Sequence, residues 1–368
     1  MSSYHSEAIL QKPISEYAKH LKNLLPVNIP ETYMLKPIFE NIAEEDDIRN
    51  GVIAFRDFIH LFFDHLISKG HLYVRPQKTK NPNSYPLLHN INQLLIDIGY
   101  HGSLAESADS LLVTDIPSFA ASKPKIPVSK QIECLRLLSS CGFVFACIDL
   151  EVQTFKFSEV QMFEVSYPSN PILLTGLKAL AVASKELSIR FLNDAGDLLR
   201  CDYRVMKAED TNILDVLKDF LHPLPEKVRD FAIKLHLRYT DMGMTCVTIS
   251  EDQYHFAYSF IKNSRRSLSP RDIYQQRVWE FAISMRFGYC LVVRAKKADR
   301  YADVIKKFPQ SLQEKITKGY GCDRKLYSEH CQGGCDGIRV PLDESILNIG
   351  CDIVTWLDCE ILGAPKNK

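Results

Sequence analysis

The sequence predicts an α+β protein built from more than one folding unit, with helices packed on small antiparallel sheets. Three observations carry that reading. At 368 residues the chain is longer than one ordinary core holds. In its first half apolar residues recur at three- and four-residue steps, the period of amphipathic helices. In its second half the runs MTCVTIS and YHFAYSFI alternate with period two across the short polar turn EDQ, the pattern of a β-hairpin.

Residues 37–70 are expected to be helical, because Phe55, Phe58, Ile59, Phe62, Phe63 and Leu66 share one face and Gly70 suits the C-terminal cap. A proline-rich basic loop is expected over 75–86, then an amphipathic helix ending at Gly99 and a short strand over 111–114. Residues 115–128, DIPSFAASKPKIPV, hold three prolines and little periodicity, which predicts a linker. A helix over 130–141 then runs into the extended stretch GFVFACIDL. Two passages share the pattern Leu-Leu-x-x-x-Gly-aromatic, at Leu94–Tyr100 and Leu137–Phe143, which reads either as an internal duplication of winged-helix-like units or as two glycine-capped helices.

The stretch ILLTGLKALAVASKEL is apolar nearly all round and is expected to be a buried helix. Alternating residues on both sides of Asn193–Gly196 predict a hairpin. Two helices follow, NILDVLKDFLHPL and PEKVRDFAIKLHLRYTDMG, before the MTCVTIS hairpin. IYQQRVWEFAISM is expected to be a helix and GYCLVVRAK a strand. The expected division is a mostly helical region over 1–120, a helix–strand–helix–hairpin unit over 126–210, and an α+β domain over 211–368.

Lys plus Arg and Asp plus Glu both number 45, so no net field holds a polyanion, and a nucleic-acid partner is not expected. The start lacks a secretory signal and no apolar run is long enough to span a bilayer, so a cytoplasmic protein without membrane association is expected. In a reducing compartment, eleven cysteines are thiols, redox groups or metal ligands rather than disulfides.

The densest chemistry lies in GYGCDRKLYSEHCQGGCDG, where Cys322, Cys331 and Cys335 fall at C-x8-C-x3-C spacing with His330 beside Cys331. Thiolates and imidazole are the ligands zinc takes, and glycines let a loop wrap an ion, so these four residues are the metal candidates. Cys351 or Cys359 could complete the set. The same residues also fit reduced structural cysteines, a catalytic or redox thiol at Cys331 or Cys335, or a glycine-rich anion nest. A second candidate site is the aromatic and basic set Tyr258, Trp279 and Arg294, with Tyr254, His255 and Tyr289 nearby, which suits a small-molecule ligand on a sheet. The alternative for these rings is an aromatic core. No G-x-S-x-G, H-E-x-x-H or G-x-G-x-x-G motif is present.

The phrases IECLRLLSSCGF, SYPSNPILLTGLKALAVA, YADVIKKFPQSLQEKITKGYGCDRK and CQGGCDGIRVPLDESI resemble those of an uncharacterised bacterial protein family. The resemblance spans roughly residues 85–360. It implies a bacterial cytoplasmic protein and carries over no catalytic residue. The expectation that results is a binding protein with a metal or thiol site in its C-terminal domain. A cysteine-dependent enzyme or redox protein and a DNA-binding regulator are the alternatives.

Overall fold

The computed structural model describes residues 14–363 apart from 74–85, 124, 188–197, 210, 251–253, 262–268, 285–287 and 319–336. The class is α+β, with two antiparallel sheets among many helices. The described residues fall into two compact units, one up to Thr211 and one from Asn212 onward.

The first unit is built on helices α1 (Ile14–Lys22), α2 (Glu45–Lys69), α3 (Pro86–His101), α4 (Ile116–Ala121), α5 (Val128–Ser140) and α6 (Leu173–Glu186). The face of α2 read from the sequence is wholly buried, from Phe55 through Leu66. Helix α6 packs against both α2 and α3, and small residues set how closely. A Cβ on Gly176 would lie 2.1 Å from the carbonyl carbon of Gly51, and one on Gly99 would lie 2.6 Å from the Cβ of Ala181. These helices therefore touch backbone to backbone, which only glycine permits.

That contact explains a difference from the expected pattern. Helix α3 does not stop at Gly99 but continues to His101, since the glycine serves the α6 crossing. Gly142, in contrast, has φ +105° and ends the turn after α5 in a left-handed conformation. The two leucine–glycine passages thus place their glycines in different roles.

Strands β1 (Ser103–Leu104), β2 (Ser110–Val113), β3 (Val144–Ala146) and β4 (Phe163–Ser166) form an antiparallel sheet in the order β1-β2-β4-β3. The extended run expected after Gly142 is therefore only three residues long, and Cys147, at φ +66°, turns the chain out of it. The stretch 115–128 is no linker. Asp115 accepts a hydrogen bond from the Ser118 N–H at 3.1 Å and caps α4, with Pro117 in the first turn. Phe119 then packs on Phe157 and Phe163 at 4.8 and 5.2 Å between ring centroids, which fixes the segment inside the unit. The arm DLLRCDYRV of the expected hairpin is two 3-10 turns, Leu198–Arg200 and Tyr203–Met206, instead of a strand. Its other arm and the basic stretch 74–85 lie outside the described residues.

The second unit holds helices α7 (Ile213–Leu221), α8 (Glu226–Asp241), α9 (Pro270–Gln275), α10 (Ala302–Ile305), α11 (Gln310–Lys318) and α12 (Gly350–Leu362). Strands β5 (Thr245–Ser250), β6 (Tyr254–Ser259), β7 (Trp279–Ser284), β8 (Gly288–Val293) and β9 (Ile338–Pro341) form an antiparallel sheet in chain order. The expected helix IYQQRVWEFAISM is a correction: only its start is helical, and WEFAIS is strand β7. Its residues alternate between two buried faces, Trp279, Phe281 and Ile283 on one and Glu280 and Ala282 on the other. Among the described residues no helix is long and apolar enough to cross a membrane.

Candidate functional site

The sequence-derived ligand set divides between the two faces of the second sheet. Tyr258 and Trp279 sit opposite each other on β6 and β7 and stack at 3.7 Å, 5° from parallel, both fully buried. The Tyr258 hydroxyl lies 2.8 Å from His236 Nδ1 on α8, and Tyr239 packs edge-on to Trp279. Burial pushes the Tyr258 phenol well up, so it stays neutral. Tyr289 packs on Phe220 of α7 on that same face. These rings form an aromatic core between sheet and helices.

Arg294 belongs to the opposite face. It donates to Glu280 at 2.7 Å, and Arg277 and His255 approach the other carboxylate oxygen at 2.8 and 3.2 Å. Arg277 also lies 3.6 Å above the Tyr274 ring. Glu280 is 1% exposed. Burial works to raise its carboxyl, but the charges of His255 and Arg277 outweigh it and hold it below the usual range.

Cys322, His330, Cys331 and Cys335 lie outside the described residues. Cys351 and Cys359, the candidates to complete that set, are on α12, the first exposed and the second buried. Among the described residues no group of three His, Cys, Asp or Glu could hold a metal ion, and no cysteine is in a disulfide. Burial pushes the thiols of Cys134, Cys246 and Cys290 up to about 12, so all three are inert at neutral pH.

The arrangement that most resembles a ligand site is in the first unit, where the sequence suggested only a linker. A cleft of about 550 Å³ opens between α4 and the start of α5. Ile116, Phe119, Ile126, Val128 and Phe157 form its apolar wall, and Val128 is 44% exposed there. Polar groups enter at separate points. Asp97, on α3, is buried and accepts a hydrogen bond from Gln93 at 2.8 Å, with Lys185 of α6 3.1 Å from the same oxygen. Ser122, at the C-terminal cap of α4, lies 2.8 Å from His101 Nε2. Lys125 and Lys156 are exposed lining residues; Lys156 pairs with Glu159, whereas Lys125 has no charged partner among the described residues.

Gln131 is committed to the frame, donating to the Ile126 carbonyl and accepting from the Phe157 N–H. The sequence signal for this site was the proline-interrupted, partly apolar stretch 115–128 with its lysines. Its partners Asp97 and His101 are recruited from a helix whose pattern shows only a core face. Comparison of the chain with family models, with curated proteins and with solved structures finds no match, so the site stands on its geometry alone.

Proposed function

We propose that the chain is a small-molecule-binding protein whose ligand site is the cleft of the first unit, and that the ligand has an apolar body and one anionic group. The carrying observation is a mostly apolar wall left open, with Val128 uncovered and Lys125, which has no charged partner among the described residues, on the same lining. A cleft of roughly 300–1,000 Å³ with few polar points is the usual form of such sites. Decanoate, titrated calorimetrically into the full chain, is the first probe. Binding is expected, weakened about tenfold by Lys125→Glu, which turns an attraction for the carboxylate into a repulsion; tenfold in Kd is about 1.4 kcal/mol. Ala120→Trp, which fills the cleft from its half-buried wall, is expected to abolish the heat. Absence of any heat at millimolar decanoate rejects the reading.

From the sequence we also infer zinc at Cys322, Cys331 and Cys335 with His330. The clustering of soft ligands supports this. Protein purified without chelator is expected to contain about one zinc per chain, because a structural site closes on one ion. Cys331→Ser should lose it, while Cys246→Ser, on β5, should keep it. Metal-free protein with three equally reactive thiols overturns this inference.

A further inference from the structure

We propose that Ser122 is a nucleophile and His101 its general base, so that the cleft cleaves carboxylic esters with an apolar acyl chain. This rests on the reading of the cleft as a ligand site. Ser122 lines the cleft, and His101 Nε2 stands 2.8 Å from its hydroxyl, within reach of direct proton transfer. The two residues come from different elements, the last turn of α3 and the cap of α4. Phe119, itself a lining residue, packs edge-on to the imidazole at 5.9 Å.

The groups facing His101 are Asp97 on its own helix, Asp115 at the start of α4, and Lys178 and Lys185 from α6. Burial pushes the imidazole down; the two lysines act in the same direction and the two aspartates against it. A neutral ring near pH 7 is the form that accepts a proton. Asp97, one turn before His101 and fixed by Gln93 and Lys185, is the carboxylate that stabilises the imidazolium once formed.

In the step itself, Ser122 Oγ forms a bond to the ester carbonyl carbon while its proton passes to His101 Nε2. The bond from that carbon to the alkoxy oxygen breaks, and the alcohol leaves with the proton from the imidazolium. Water, deprotonated by the same ring, then cleaves the acyl–serine ester and returns Ser122. Only water is consumed.

The test uses the full chain, an alkyl fluorophosphonate and p-nitrophenyl octanoate. One phosphonate per chain is expected, mapped by mass spectrometry to Ser122, together with hydrolysis of the ester. Ser122→Ala should lose both, and His101→Gln should slow labelling about 100-fold or more, the usual weight of a general base. The labelling rate should rise with pH and level off as the imidazole becomes neutral, a profile that a structural histidine would not impose. Thermal melts of both variants check folding, and the mapping on the unaltered chain needs no variant. No label, or a label on another residue, overturns the proposal. Decanoate binding without labelling defeats the dyad alone; labelling of Ser122 without decanoate binding defeats the ligand reading instead.

Discussion

Gly176→Ala is expected to lower the stability of the first unit by about 3 kcal/mol, the upper end of what overpacking costs. The added methyl would sit 2.1 Å from both the carbonyl carbon and oxygen of Gly51, and 2.5 Å from the Val52 nitrogen. All three are backbone atoms, so no side chain can rotate away. The α2–α6 pair must separate, and the buried faces of the two helices lose contact across the widened gap. For a unit of this size the melting temperature should fall by about 10 °C. Gly243→Ala is the comparison, since nothing lies within 4 Å of its Cβ position and only its φ of +87° resists the change. That variant should lose about 1 kcal/mol. A Gly176→Ala protein that melts within a degree of the parent would mean the helices are not in backbone contact.

Glu280→Ala should be at least as damaging to the second unit, by about 3–5 kcal/mol, the cost of removing one partner from a buried ionic cluster. The carboxylate is the shared acceptor for Arg277, Arg294 and His255, and deleting it leaves buried cations without that compensation. Glu280→Gln keeps the shape and tests the charge. Its carboxyl is depressed in the folded protein, so ionisation favours folding above the unfolded pKa, and that contribution is lost as pH falls through the folded value. Chemical denaturation followed from pH 7 into the acid range should therefore show a steeper decline below about pH 4 in the parent than in the Gln variant. Equal acid sensitivity in the two proteins would remove Glu280 from that role.

The fold was legible wherever one face of an element meets the core and the other meets water. The stripe from Phe55 to Leu66 is of this kind, and MTCVTIS was legible because Thr248 and Ser250 alternate with Val247 and Ile249 in the sequence, although Thr248 is buried too; both stand as read. It was misread where both faces are buried. Tyr274, Val278 and Phe281 fall at helical spacing, yet β7 buries Trp279 and Glu280 on opposite sides, so its charged position marks no water-facing side. Glu280 itself gave no sign of being interior, because its compensation comes from His255 on β6, Arg277 before β7 and Arg294 just past the end of β8. Prolines misled at 115–128, where Pro117 begins a helix instead of preventing one. The cleft was invisible for a different reason. Ser122 and His101 are separated by 21 residues and match no motif, and only the packing of α3 beside α4 brings their side chains together.

The strand order of the second sheet bears on how that sheet comes together in time. Strands β6, β7 and β8 each pair with the strand before them, so the four strands β5–β8 can assemble as a meander from short-range contacts. β9 is expected to join last, because Ile338 must find Val293 across a long stretch of chain. Closing so large a loop adds little entropy beyond that of a moderate one, but it delays the encounter. Until then β8 is an open edge carrying Leu291 and Val293, the strand by which a newly made chain would join a neighbour. Once β9 docks, Pro341 stands on the new outer strand, and a residue without an N–H is a poor template for further addition. The last strand in the sheet order thus blunts the edge that it creates.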